Sequence, residues 1–506
     1  MSGLNDPDIG GGLVIESIDL VDLEVRERVR EVAERTSLIE ARVNSGWLHD
    51  GELRMDAEYY SDSALRVRRL LEEWELGTEL LGDLVRSVSY PGRFKRIYAQ
   101  DKRHGMPFLT ASKMLHFRPA SDVYLARRAH QLARYTVTEG CLLITRSGSV
   151  GRCVVAGKRL SKFAITDDAI RVKSSKIPIG YLYAFLVSWM GQTILTKDQY
   201  GSTIKHLESH HVSNIPVPLL SETEMKEVAE RIDEANDLRE QANVLLDDAL
   251  KILHYELGLP DFDESLVEYL TLLGDEHAPQ LDLMKLRAFE VQASTLQERL
   301  DASYHVPVVR SAISTLQNGN FRLVPLADFV KNIMIPPRFK RIYVSADYGV
   351  PFIRPSQLPQ TNFYNLGHIS RRTPSLGSLM LKQGDVLIST DGTVGRIAIA
   401  TKFLDGWAGS NNLGRVTCDN EIGQNGYLAA FLMSPYGQYQ LLKEIYGGVV
   451  DHIDVSHIQG IMIPDAPTDL QRRIGKPVVK AFENKDRAST LEMDAIRALE
   501  SKIVSS

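Results

Sequence analysis

Cysteine is nearly absent: the 506 residues hold three, Cys141, Cys153 and Cys418, and no two stand at the Cys-x-x-Cys spacing of zinc knuckles and redox pairs. A disulfide framework is therefore excluded as the basis of the fold, and the reducing cytoplasm is the expected setting. No apolar run reaches the roughly 18 residues that a membrane helix needs, and the opening MSGLNDPDIGGG lacks the apolar core of a signal peptide, so neither export nor a membrane partner is expected. A Walker A loop is missing too.

What is present is a long, ordinary globular composition. With 43% hydrophobic and 25% charged residues, a chain of this length divides into several domains, each able to bury its own core. The net charge of −6 argues against a protein that coats nucleic acid indiscriminately and leaves room for local basic patches. One such patch, RFKRIY, occurs at 93–98 and again at 338–343.

The hexamer belongs to a longer duplication. RMDAEYY (54–60) returns as RLDASYH (299–305), GMPFLTASKM (105–114) as GVPFIRPSQL (349–358), and EGCLLITRSGSVGR (139–152) as QGDVLISTDGTVGR (383–396). GYLYAFLVSWMGQ (180–192) returns as GYLAAFLMSPYGQ (426–438), and KHLESHHVSNIPVP (205–218) as DHIDVSHIQGIMIP (451–464). Offsets of 245 (338 − 93), 244 (395 − 151) and 246 (447 − 201) mark a duplicated domain, since a solenoid repeat has a far shorter period.

A long helix follows each copy. Residues 221–257 contain no Gly or Pro, open with the capping box Ser221/Glu224 and stop at Gly258. Met225, Val228, Ile232, Ala235, Ala242, Leu246, Ala249 and Leu253 form a three-four seam of the coiled-coil type. The second tail repeats the seam with Leu470, Ile474, Val478, Leu491, Ala495, Leu499 and Ile503, and Pro477 is expected to interrupt or kink it. Two such seams pair most simply with each other. Within each copy, CLLITRSGSVGRCVVAG reads as strand, glycine turn and strand, and GYLYAFLVSW as an amphipathic helix. The fold class is α+β. The expected divisions are a leader at 1–52 with a short helix at 20–43, globules at 53–220 and 298–466, helices at 221–258 and 467–506, and an acidic linker at 259–297.

This order of elements resembles the DNA-sequence specificity subunit of type I restriction-modification systems. The resemblance rests on the paired glycine-turn segments and on SNIPVPLLSETEMKEVAERI (213–232), similar to that family's Ile-Pro-x-Pro lead into a spacer helix. At the second helix IMIPDAPTDL departs from the pattern by lacking the second Pro-x-Pro. The resemblance implies two tandem target-recognition domains whose helices pair as an antiparallel coiled coil and set the gap between two DNA half-sites. It implies a noncatalytic chain with no cofactor of its own. Its partners would be double-stranded DNA, two methyltransferase subunits that bring S-adenosylmethionine, and motor-nuclease restriction subunits.

The candidate DNA contacts follow from the duplication, because two domains that read different half-sites share scaffold and phosphate contacts and differ where bases are read. The shared strip gives Arg93, Lys95, Arg96 and Tyr98 with Arg103 and Lys113 nearby, and Arg338, Lys340, Arg341 and Tyr343 with Arg354. Read as a strand, the hexamer sends its cations to both faces. The divergent stretches 99–104 against 344–348, 116–134 against 360–372, and 158–173 against 402–415 are the base-reading candidates. In the last of these Arg and Lys suit guanine, and Asn411 or Asn412 suits adenine.

Rival chemistry finds less support. GSVGR lacks the strand-to-helix setting of a dinucleotide loop and reads as a hairpin turn. No Asn-Pro-Pro-Phe or Asp-Pro-Pro-Tyr tetrapeptide of the adenine methyltransferases occurs. His206 and His211 recur as His452 and His457, at a spacing that suits hydrogen bonds in the fold or to phosphate better than metal. The alternative function class is a duplicated protein-interaction scaffold in another phage-defence complex.

Overall fold

The computed structural model describes residues 62–93, 95–99, 102–121, 123–128, 132–197, 206–262, 270–271, 287–296, 299–363, 366–419, 423–447 and 449–505. The leader, its expected helix at 20–43 and much of the linker lie outside these residues.

In the first lobe β1 (Val85–Ser89), β2 (Gly105–Leu109), β3 (Tyr124–Ala126), β4 (Leu142–Thr145), β5 (Cys153–Val155), β6 (Ala164–Ile165) and β7 (Ala169–Ser175) form two sheets. One is antiparallel in the order β1-β7-β4-β5, and the other runs β3-β2-β6 with β2 parallel to β6. Strand β4 is buried along its whole length, and its alternating side chains serve two cores. Leu142 and Ile144 face helix α1 (Ile179–Val187), whereas Leu143 packs with Leu109, Met114 and Ile165 toward the second sheet. The glycine-turn segment thus forms the strand, turn and strand read from its sequence. Helix α1 is not amphipathic, however: Gly180 to Leu186 are all buried, because it is held between the sheet and the long helix α2 (Glu222–Glu256).

The second lobe repeats this plan with β8 (Asn332–Met334), β9 (Tyr343–Val344), β10 (Gly349–Ile353), β11 (Gly367–Ser370), β12 (Val386–Ser389), β13 (Ile397–Ile399), β14 (Ala408–Gly409) and β15 (Leu413–Thr417). The sheets run β8-β15-β12-β13 and β9-β11-β10-β14. Helix α3 (Gln424–Met433) takes the place of α1, and the long helix α4 (Thr468–Ser505) follows. The duplication reaches individual hydrogen bonds. Tyr181 donates to Pro218 O at 2.6 Å and Tyr427 to Pro464 O at 2.7 Å. The amides of Gln192 and Gln438 donate to Gly151 O and Gly395 O, both at 2.9 Å.

The long helices begin and pair as physical chemistry requires. Ser221 Oγ accepts the Glu224 N–H while the Glu224 carboxylate accepts the Ser221 N–H, which completes the capping box. Ion pairs Glu224–Lys502, Glu234–Arg487 and Glu256–Arg473 join ascending numbers on α2 to descending numbers on α4, so the helices are antiparallel. All eight α2 seam residues read from the sequence are buried. Each helix serves both lobes: Ala495, Ile496, Leu499 and Ile503 of α4 complete the first core, and Ala242, Leu246, Ala249 and Leu253 of α2 complete the second. Helix α4 runs unbroken through Pro477, contrary to the expected interruption. Pro477 removes a single backbone donor, and burial of Ile474 and Val478 on either side holds the turn in place.

The lobes also touch each other. His116 and Gln360, 244 residues apart (360 − 116), form an antiparallel bridge. Phe117 N–H donates to Pro359 O at 2.7 Å and Thr361 N–H to Leu115 O at 2.8 Å. These two bonds exchange under the same offset of 244, which is the signature of a local two-fold axis. Beneath the bridge, Arg239 donates to Glu492, and Glu492 accepts from Tyr183 of the first lobe at 2.7 Å and from Asn362 of the second at 2.6 Å. Periodicity could not reveal this waist, because its members are polar residues on an apolar seam.

Candidate nucleic-acid interface

The repeated hexamers are exposed and mostly irregular. Pro91-Gly92 and Pro336-Pro337 withhold backbone donors or ordinary turn geometry, so pairing begins only at the aromatic end. Tyr98 bridges Leu125, and Tyr343 pairs with Ile369. The strand alternation expected for the six residues is therefore corrected: residues 95–97 and 338–342 form no strand. Arg93 and Lys95 are exposed, as are Arg338, Lys340 and Arg341. Tyr98 and Tyr343 remain 54% and 51% exposed, beside the exposed Ile97 and Ile342. Each lobe thus shows water a short surface of cations with an apolar pair, suited to phosphate and sugar.

Arg96 is the exception among the cations of the first strip. It donates to Asp167 Oδ1 at 2.8 Å and lies over the Phe108 ring at 5.0 Å, while Arg93 Nε is 3.9 Å from Asp167 Oδ2. With Asp168 these residues line an open cleft of about 420 Å³. In the second lobe Arg341 lies 5.8 Å from the Phe352 ring and donates to the amide oxygen of Asn411 at 3.2 Å. The offset of 244 (411 − 167) equates Asn411 and Asn412 with Asp167 and Asp168. The alignment of TDDAIRV (166–172) with SNNLGRV (410–416) carries this signal, although only the asparagines stood out as base-reading types.

The glycine turn sits against the same place. In the first lobe Arg146 of that turn stacks on the Tyr90 ring at 4.3 Å and pairs with Glu208, which also accepts from the Tyr90 hydroxyl. Ser147 Oγ contacts His206 Nδ1 and Asp168 Oδ1, each at 2.9 Å. In the second lobe His452 Nδ1 pairs with Asp391. His211 and His457 accept the backbone N–H of Glu208 and Asp454, both at 3.1 Å. His206 and His452 thus hold the turn, and His211 and His457 close capping boxes on the short helices at 209–213 and 455–459, all by hydrogen bonds within the fold.

Other cations of the divergent stretches serve the interior. Arg159 donates to Asp247 of α2 at 2.7 Å. Arg171 donates to Ile165 O at 2.9 Å, and Arg415 to Ser378 O and Met380 O at 2.7 and 2.9 Å. Burial pulls both of these guanidinium pKa values down, Arg415 to about 10 against the pull of Asp385, so Arg415 stays charged at neutral pH. The guanine-reading role expected of arginines in 158–173 and 402–415 is therefore corrected for these three. Residues 116–118 and 360–363 open another expected reading stretch, yet they form the inter-lobe contact. Burial, aided by Arg396 and Lys113, lowers the His116 pKa to about 4. Lys113 and Arg354 lie half-buried at the turns leading into that contact, and Arg103 is exposed in the turn before β2.

No family model matches the chain, and no curated protein matches it. Among solved structures it is similar to the Type-I restriction-modification system S subunit from M. genitalium, at a TM-score of 0.34 and 10% identity over 84% of this chain and 94% of that one. It is also similar to the HsdS subunit from Thermoanaerobacter tengcongensis, at 0.25 and 14% over 85% and 95%. A chain from a study of complex assembly and conformational transition of the type I R-M system is similar at 0.26 and 14% over 85% and 96%. The first two of these neighbours are S subunits of type I systems, and each of the three overlaps spans about 85% of this chain.

Proposed function

We propose that this chain is a noncatalytic DNA-recognition subunit that reads a bipartite sequence, one half-site per lobe, for a type I restriction-modification system. The observation that carries this reading is the same exposed basic-aromatic strip on two lobes related by a local two-fold. Duplex DNA has a dyad of its own that such a surface matches. Residues 53–220 and 298–466 act as target-recognition domains, and 221–258 with 467–506 act as a coiled-coil ruler. Arg93, Lys95, Arg338, Lys340 and Arg341 contact phosphates, with Tyr98 and Tyr343 against the sugar. Two methyltransferase subunits dock on the scaffold and bring S-adenosylmethionine for adenine methylation, and motor-nuclease subunits join for cleavage.

Binding by the chain together with its methyltransferase subunit tests this. Sequence-specific duplex binding should appear, and log K should fall against log salt with a slope of about −0.9 for each phosphate neutralised. A complex that binds every duplex alike, or none, would return the chain to the class of protein-interaction scaffolds.

A further inference from the structure

We propose that Asp168 and Asn412 are matched base-reading positions of opposite polarity. Asp168 accepts a hydrogen bond from the exocyclic amino group of adenine or cytosine, and Asn412 donates one to an acceptor such as guanine O6 or thymine O4. The inference rests on the DNA-reading role proposed above.

The frame around the two residues is the same. Each stands just before the central strand of its sheet, β7 or β15, and the glycine turn clamps its main chain. Arg146 N–H donates to Asp168 O at 2.9 Å, and Thr390 N–H donates to Asn412 O at 3.0 Å. Three residues on, the buried Arg171 or Arg415 anchors the strand. A constant frame with a changed side chain is what two readers of different half-sites require.

The polarity follows from the hexamer arginines. A guanidinium only donates, so Arg341 fixes Asn411 with its oxygen toward Arg341. The Asn411 amino group then donates to Asn412 Oδ1. With its oxygen engaged, Asn412 presents its amino group. The pairing with adenine expected from the sequence uses both amide atoms of one asparagine; here one lone pair of each amide oxygen is already taken, and the Asn412 amino group carries the reading. In the first lobe Arg96 and Arg93 occupy Asp167. Asp168 uses Oδ1 for the Ser147 hydroxyl at 2.9 Å, with Arg146 Nη1 at 3.8 Å from the same oxygen. Its other oxygen remains an acceptor on a side chain that is 33% exposed and lines the cleft. A carboxylate that only accepts selects base edges carrying amino groups, whereas an amide amino group selects edges carrying acceptors.

Selection from a random duplex library by the chain co-purified with its methyltransferase subunit tests this with wild type, Asp168→Asn and Asn412→Asp. Both substitutions are isosteric and keep the internal bonds. Asp168→Asn should change the preferred base at one position of one half-site, and Asn412→Asp at one position of the other. Discrimination at those positions should fall about tenfold or more, with melting temperature and salt slope unchanged. Specific binding with both motifs unaltered would overturn the assignment, and so would a variant that loses affinity for all duplexes together with its melting temperature. A wild-type complex that selects no motif would instead refute DNA reading itself.

Discussion

Inside the lobes, Tyr181 and Tyr427 donate to the matched carbonyls of Pro218 and Pro464; at the surface, the matched arginines Arg96 and Arg341 meet a carboxylate in one lobe and an amide in the other. The interior bonds tie buried backbone groups, and losing one leaves an unsatisfied polar atom costing roughly 1–3 kcal/mol. The surface exchange of Asp for Asn keeps the donor to that position satisfied and alters only charge and outward polarity. Duplication followed by divergence has therefore been free to act at the second kind of place.

The largest effect is expected where the lobes stop being separate. Arg239→Ala leaves Glu492 buried and uncompensated among Tyr183 and Asn362 and should destabilise by about 3–5 kcal/mol in equilibrium denaturation. Adding Glu492→Leu should recover most of the loss. A cost below about 1 kcal/mol would mean that the lobes do not share this waist. Next come the glycines where a lobe helix meets its rod. A Cβ on Gly426 would lie 2.1 Å from Gly475 O, and one on Gly180 would lie 2.9 Å from Ala229 O. Gly426→Ala should therefore destabilise more than Gly180→Ala, within the roughly 1–3 kcal/mol typical of overpacking, as urea titration of the two variants would show. Equal costs would break the distinction.

Smaller differences are expected in the strips. Arg341→Ala should reduce the salt slope of duplex binding by about 0.9, whereas Arg96→Ala should reduce it less, because Asp167 already balances that charge. An effect confined to alkaline pH concerns position 500 and its counterpart 254, at an offset of 246 (500 − 254). Glu500 accepts the Trp189 N–H at 2.9 Å, and His254 lies 3.5 Å from Asp261. Burial raises the Glu500 pKa from 4.5 to about 8, against the Trp189 hydrogen bond and Arg497. The native state thus holds this proton to higher pH than the unfolded chain, so its contribution is full below about 4.5 and lost as pH rises through about 8. Glu500→Gln should raise the melting temperature near pH 8.5 by about 2–8 °C and change it little near pH 5.

Much of this was legible in the sequence. The duplication, the α2 seam, the capping box and the glycine-turn strands follow from spacing and residue type, because each is a local rule repeated often enough to see. The waist escaped notice because Arg239 and Glu492 break the apolar pattern at a point fixed only by a helix hundreds of residues away. Helix α1 looked amphipathic until a second helix covered its outer face. Residues 116–118 looked divergent because His116 and Gln360 face each other across an axis, where like need not match like. Of the site, the cations were visible from composition. Asp167 and Asp168 become readable only once Arg96 is seen to spend its charge on the first of them.

Methylome sequencing of cells with and without this gene tests the twin-lobed reader most directly. Deletion should remove adenine methylation at a single bipartite motif, two half-sites separated by a fixed run of unspecified base pairs. An unchanged methylome, or loss of methylation from a single uninterrupted motif, would contradict it.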